Sequence, residues 1–299
     1  MGGRKVGLDD MKMAVLITCH NRMATTIKCL RHLFAVRLSD SGSFDVWLND
    51  DGSSDGTGEW VKKEFPLVNV VQGSGHDYWC GGMRRAWDAA SRHFDYDGYL
   101  WLNDDTMLNS NAFEVMFNRA EQEERVDCER PAENDCILVG AVCGKDGKAT
   151  YGGEDENGFV VPDGTWRRLR QMNGNAVWVP REVFRRLGNF SEYLTHSFGD
   201  SDYSRRAVEE GVEVLLTPRF VAACDRNEKR IPWKDPNTPF LKRLRNLHSP
   251  LGYSEPSVLF RYCLRHDGIG TAIKCIAGAY FRVLFPALAE RMSGRVAEL

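Results

Sequence analysis

Two acidic clusters of identical composition carry the strongest chemical signal in the chain, Leu48-Asn49-Asp50-Asp51 and Leu102-Asn103-Asp104-Asp105. Paired carboxylates supply the hard oxygen donors that Mg²⁺ or Mn²⁺ accepts, and such ions keep coordination positions for phosphate oxygens. One such cluster alone reads as a turn, where Asp and Asn are favoured. Two that converge on one crevice read as a site. A third acidic group, Gly199-Asp200-Ser201-Asp202, reads from its residues as helix N-terminal carboxylates stabilised by the helix dipole.

Other site chemistries find no support. There is no G-x-x-x-x-G-K-S/T loop and no G-x-G-x-x-G after the first apolar run, so neither P-loop phosphate binding nor dinucleotide binding is expected. Gly73, Gly75, Gly81 and Gly82 are spaced for neither and would let the chain approach a ligand or turn into a helix. The nine cysteines form no C-x-x-C pair and no Cys/His cluster at zinc spacing. They read as reduced thiols of a cytosolic protein, most of them small apolar core residues. The first thirteen residues lack the apolar run of a secretory signal.

The acidic clusters need a scaffold that brings them together. Residues 13–19 form a β-branched run that stops at His20-Asn21-Arg22, after which Ile27, Leu30, Leu33 and Phe34 recur at helical spacing. Residues 44–48 predict a second strand ending in an Asp-, Gly- and Ser-rich loop, and then a helix with Ser54 or Thr57 as its N-cap. Residues 68–72 predict a third strand, 82–93 a helix, and 99–102 a fourth strand that again stops at acidic residues. This alternation specifies an α/β fold, a doubly wound, Rossmann-like, mostly parallel sheet flanked by helices. Such sheets bind ligands beyond the carboxyl ends of their strands, so Thr18 to Arg22, Asp50–Asp51 and Asp104–Asp105 should line one crevice. Further on, 137–143 and the Gly-rich 144–164 predict strands with hairpins, and 176–188 a strand running into a helix. Residues 196–211 predict an acidic loop opening a helix that Gly211 ends, and 212–218 a last strand.

Composition bounds the rest. Of 299 residues, 42% are apolar and 27% charged, enough for a sizeable globular core. The net charge of −3 is uneven: residues 226–299 hold 13 Lys/Arg against 6 Asp/Glu, leaving −10 on residues 1–225. The acidic body argues against nucleic-acid binding, while the basic tail suits an anionic membrane or a phosphorylated acceptor. Prolines at 232, 236, 239, 250 and 256 change the texture, so a boundary is expected between a domain over 1–225 and a basic, partly helical C-terminal extension over 226–299. The stretch 275–289 is about 15 residues long and contains Arg282 and Pro286, short of the roughly 18–20 apolar residues a bilayer span needs. Lys242, Arg243, Arg245, Arg261 and Arg265 alternate with apolar residues, as in an interfacial helix, a lid, or a charged helix packed on the domain.

The blocks VLITCHNR, VWLNDDGSSDGTGEWV, YLWLNDDT, NGNAVWVP and FGDSDYSRRAVEEG, in this order, resemble the family 2 glycosyltransferases of GT-A fold, particularly bacterial enzymes that build surface polysaccharides, over residues 12–225. The resemblance implies a metal-dependent, inverting transfer of a sugar from a nucleoside-diphosphate sugar, UDP or dTDP being expected, to a hydroxyl of a glycan or glycolipid. It implies nucleotide contacts from Thr18, His20 and Arg22, and a base contact from Asp51, whose carboxylate can accept from a pyrimidine N3–H. The family's metal motif falls on Asn103-Asp104-Asp105, with Asn for the first Asp; Asp105 would bind Mn²⁺ or Mg²⁺ and Asp104 would lie near the ribose or the metal. The family's E-D-x-D-x-x-x-R block falls on residues 199–206 with Gly for Glu, implying Asp200 as the catalytic base, with Asp202 supporting or competing. Cys224 and Asp225 stand where many relatives place a metal-binding His.

Three further residues are candidate donor or acceptor contacts. Trp79, beside Gly81 and Gly82, could stack on a base or sugar or could pack in the core; Gly82 could let the chain approach the ligand; His196 could face the acceptor or sit on the surface. Two other functions remain open. A sugar-nucleotide nucleotidyltransferase would share the sheet but should carry a Gly- and Lys-rich loop after the first strand, which CHNRMATT is not. A non-enzymatic membrane-associated assembly factor would use the basic tail. The expected location is cytoplasmic, or peripheral at the inner face of the cytoplasmic membrane.

Overall fold

The computed structural model describes residues 11–37, 42–117, 135–226 and 231–296, with side chains to 292. These residues divide into two compact units, one within Met1–Phe190 and Gly199–Arg226, the other Ser191–Phe198 with Asn227–Leu299. The second unit thus takes in residues 191–198, which the change of texture near residue 226 does not reveal.

In the first unit, thirteen strands and six helices follow one another: β1 (Lys12–Cys19), α1 (Met23–Phe34), β2 (Ser43–Asp50), α2 (Thr57–Glu64), β3 (Val68–Gln72), α3 (Tyr78–His93), β4 (Gly98–Leu102), β5 (Met107–Leu108), α4 (Ala112–Phe117), β6 (Cys136–Cys143), β7 (Ala149–Tyr151), β8 (Gly153–Asp155), β9 (Gly158–Phe159), β10 (Arg167–Arg168), β11 (Gln171–Met172), β12 (Ala176–Pro180), α5 (Arg181–Leu187), α6 (Gly199–Glu209) and β13 (Glu213–Ala223). The main sheet runs β10-β13-β6-β12-β4-β1-β2-β3. β3, β2, β1 and β4 are mutually parallel, and β13 is parallel to β6. β12 runs antiparallel between β4 and β6, so the doubly wound region ends at β4.

β1 and β4 are covered on both faces, which is why their sequences are continuous apolar runs rather than alternating ones. Trp87, Trp101, Tyr99 and Tyr203 are buried together with Phe184 and Phe190 stacked among them, joining α3, α5 and α6 to β4. Three boundaries differ from the sequence expectation. The N-cap of α2 is Gly56, in left-handed backbone, with Asp55 accepting from the Thr57 amide in place of a Ser54 or Thr57 cap. α3 starts at Tyr78, four residues early, because Gly81 and Gly82 are helical packing positions. β13 passes through Pro218, which cannot donate to a ladder, by shifting register between Leu216 and Phe220.

The second unit holds α7 (Phe240–Leu247), α8 (Pro256–Leu284), broken at Gly268, and α9 (Pro286–Val296). Its small cores gather Trp233, Leu247, Ala279 and Val283 in one place and Tyr262, Cys263 and Ala272 in another. Among the described residues no single helix is long and apolar enough to cross a membrane, although α8 and α9, bent by 120°, reach that length and composition as a pair. Ile269, Ile273, Leu284, Phe285, Leu288 and Met292 are each at least half exposed.

Candidate active site

The parallel register sets Cys19 beside Asp50, so the loops after β1 and β2 start side by side. His20 Nδ1 donates to the Asp51 carbonyl at 2.7 Å, and Asn21, in left-handed backbone, accepts from the Ser54 amide at 2.7 Å. Thr18 is half-buried and accepts from Asn49 Nδ2 at 3.2 Å. Asp51 is 4% exposed, and its carboxylate accepts three backbone amides, Gly75 at 2.7 Å, Asp77 at 3.1 Å and Tyr78 at 2.9 Å. Asp51 therefore builds the turn into α3. That turn holds Tyr78 at φ 53°, a left-handed conformation that costs a non-glycine residue about 1–3 kcal/mol.

The second acidic cluster leaves β4 at Leu102. Asp104 is buried and accepts from Thr26 Oγ1 at 3.3 Å, while Asp105 is half-buried. Arg22, at the head of α1, bridges both: its Nη1 lies 2.9 Å from Asp104 and its Nη2 2.8 Å from Asp105. Burial raises the Asp104 carboxyl to about 7 against the pull of Arg22. Burial, then the Asp105 charge, pushes the neighbouring Cys224 thiol up to about 12, so it is a protonated thiol at neutral pH. A cleft of about 330 Å³ opens beside Asp105 and Cys224, with Lys28 and His32 on its wall.

Two adjacent carboxylates already holding one cation fork are a donor set that suits a hard divalent ion. Among the described residues no group of three or more His, Cys, Asp or Glu could hold a metal, so the remaining ligands of such an ion would be water and diphosphate oxygens.

Asn103 gives its side-chain oxygen to Trp79 Nε1 at 2.6 Å. The Trp79 ring lies against Gly174 and Gly199 so closely that a Cβ at Gly174 would come within 2.5 Å of it, and one at Gly199 within 3.0 Å. The Gly174 amide donates to Asp200 Oδ2 at 3.1 Å. Trp79 therefore touches the cluster after β4 and the start of α6 together. Asp200 is half-buried, and loss of water raises its carboxyl above the ordinary value despite amide donors at Ser201 and Gly174.

Several residues singled out in the sequence take other parts. Asp202 is fully buried and accepts from Arg206 Nε at 3.0 Å, whose other nitrogens reach the carbonyls of Leu187 and Asn189. Such a carboxylate is a structural anchor and is not presented to an acceptor. Gly82 is buried inside α3, where a Cβ would lie 2.1 Å from Thr18 Oγ1, so it serves helix–strand packing and does not face a ligand. His196 lies in the second unit against Tyr253, ring centroids 4.9 Å apart, with its imidazole lowered to about 4 by burial. The roles of Asn21, Asn103 and Gly174 were not assigned from the sequence; the only signal was their place in the motif blocks.

Residues 14–144 match the family model described as Glycosyl transferase family 2. No curated protein matches the chain. Among solved structures, the chain resembles GalNAc-T7 with UDP, GalNAc and Mn²⁺ at a TM-score of 0.55 and 14% identity, over 91% of this chain and 58% of that one. TarS of S. aureus aligns at 0.53 and 13% over 91% and 44% of the two chains. The mannosyltransferase PcManGT from Pyrobaculum calidifontis, in complex with GDP-Man and Mn²⁺, aligns at 0.50 and 16% over 96% and 80%. At these identities the likeness is one of fold, and it defines a GT-A-like α/β protein with acidic loops at its strand ends. Within that class, residues 14–144 are similar to the family 2 glycosyltransferases, a match over less than half of the chain.

Proposed function

We propose that the protein transfers a sugar from a nucleoside-diphosphate sugar to a hydroxyl of a glycan or lipid-linked glycan, with inversion at the anomeric carbon. The observation that carries this reading is the link from Asn103 through Trp79 to Gly174 and Asp200, which ties a carboxylate of raised affinity for protons to the Asp104–Asp105 pair. Asp105, with Asp104, would hold a divalent ion; the GalNAc-T7 and PcManGT structures contain Mn²⁺, and the family resemblance extends to Mg²⁺. When bound, the ion supplies positive charge for the leaving diphosphate. Asp200 takes the proton of the attacking hydroxyl, and the Gly174 and Ser201 amides keep its carboxylate in place. Attack opposite the leaving group in a single displacement inverts the configuration.

Thr18, His20, Arg22 and Asp51 are assigned to the nucleotide by the family resemblance, and a carboxylate such as Asp51, which can accept from an N3–H, favours a pyrimidine, hence UDP or dTDP. The exposed apolar residues of α8 and α9, with Arg261, Arg265, Lys274 and Arg282 on α8 and Arg291 on α9, suit peripheral contact with an anionic membrane, where a lipid-linked surface-polysaccharide acceptor would be met. On this reading the protein works at the cytoplasmic face of that membrane. The test is to screen UDP-, dTDP-, GDP- and CMP-sugars with Mn²⁺ for thermal stabilisation, and then to follow turnover and product configuration by NMR. The expected result is stabilisation by a uridine or thymidine donor and an inverted product. Retention of configuration, or tighter GDP than UDP binding, would defeat the reading.

A further inference from the structure

Arg22 holds a position that nucleotide binding alone does not explain. Its fork lies on the very oxygens that a metal at the Asp104–Asp105 pair would need, Asp104 Oδ1 at 2.9 Å and Asp105 Oδ2 at 2.8 Å. Asp104 is buried and Asp105 beside it is half-buried, and adjacent carboxylates in such surroundings favour a bound counter-charge. Resting on the reading of Asp105 as a metal ligand, we propose that Arg22 is the resident counter-cation of the pair, that it competes with the divalent ion for these oxygens, and that it moves onto the donor diphosphate when the ion takes its place.

Three observations support the exchange. The Arg22 side chain is 44% exposed, so it can leave the pair toward solvent. The carboxylates stay in place without it, because Asp104 also accepts from Thr26 Oγ1 and both follow the buried end of β4. A planar guanidinium fork matches phosphate oxygens as well as carboxylate ones, so a diphosphate bound at the pair would offer Arg22 an equivalent partner. A point charge on the same stem would lack that match. The consequence is coupling: the ion alone must displace Arg22 and so binds weakly, whereas with diphosphate present the displaced guanidinium gains a new anionic partner. Coupling of this kind is reciprocal between the two ligands.

The experiment is a Mn²⁺ titration of the full-length protein, read by the electron paramagnetic resonance of free Mn²⁺, first without nucleotide and then with UDP, for the wild type, Arg22→Gln and Arg22→Lys. Arg22→Gln should bind Mn²⁺ alone roughly tenfold more tightly than the wild type, within the range usual for site coupling. UDP should tighten Mn²⁺ binding in the wild type by more than it does in Arg22→Gln. Arg22→Lys, which keeps the charge without the fork, should fall between the two, and it decides the matter should the Gln variant not fold. Mn²⁺ binding in the variants that is equal to or weaker than in the wild type would overturn the competition while leaving the metal site standing. Absence of Mn²⁺ binding in every protein, with and without UDP, would overturn the metal assignment of Asp105 and the proposal with it.

Discussion

Asp200 and Asp202 are two residues apart, of the same type and in the same helical turn, and their surroundings give them opposite parts. Asp200 keeps a raised affinity for its proton beside the Trp79 ring, whereas Asp202 is fixed to Arg206 inside the protein. Asp200→Asn should lower kcat by about 10²- to 10⁴-fold with donor KM little changed, the usual contribution of a positioned base. Because burial lifts the Asp200 carboxyl above its ordinary value, activity should fall on acidification at a higher pH than an unperturbed aspartate would set, and the pH–rate profile of the variant should lose that contribution. Asp202→Asn should act on stability. It leaves the Arg206 guanidinium, 8% exposed, without its counter-charge, and breaking a buried pair in this way costs about 3–5 kcal/mol, readable as a lowered denaturant midpoint. Both carboxylates were visible in the sequence as members of one block, but residue type and spacing could not separate them. Only the side chains packed around each do so.

The elements show the same division between what pattern reveals and what contact decides. β1, β2, β3 and β4 were legible because each is a short apolar run ending in polar residues, and the crevice beyond their ends followed from that order. The start of α3 was not legible, since Gly81-Gly82 reads as a loop signal, yet both glycines are buried helical positions and Gly82 lets α3 lie against β1. Gly82→Ala tests this directly. Its Cβ would meet Thr18 Oγ1 at 2.1 Å and Thr18 Cβ at 2.9 Å, and the β-branched Thr18 on a buried strand has little freedom to give way. The variant should lose about 1–3 kcal/mol of stability, as overpacked cores do, and should bind nucleotide more weakly in calorimetry, because the Tyr78 amide that α3 presents to Asp51 shifts with the helix.

At the scale of the whole molecule, the sequence puts a boundary near residue 226 from charge and proline content, whereas the compact units also place residues 191–198, which carry His196, in the second. No composition shift marks that segment; its side chains, such as Phe198 stacked on Tyr262, assign it. The apolar surface of α8 and α9 leads to a prediction for the intact protein. It should co-sediment with vesicles containing anionic phosphatidylglycerol and not with neutral ones, and Ile273→Glu with Phe285→Glu should abolish sedimentation without altering the melting temperature, both residues being more than half exposed. Binding to neutral and anionic vesicles alike would argue against the charge contribution. The Trp79 indole, finally, gives this molecule an internal optical reporter. It is half-buried and hydrogen-bonded to Asn103, whereas Trp87 and Trp101 are sealed in the core, so the difference in fluorescence between the wild type and Trp79→Phe isolates one fluorophore at the junction of three loops. Each ligand that rearranges those loops changes the polarity around that ring, and the order in which ion, nucleotide and acceptor arrive can be read from its emission in real time.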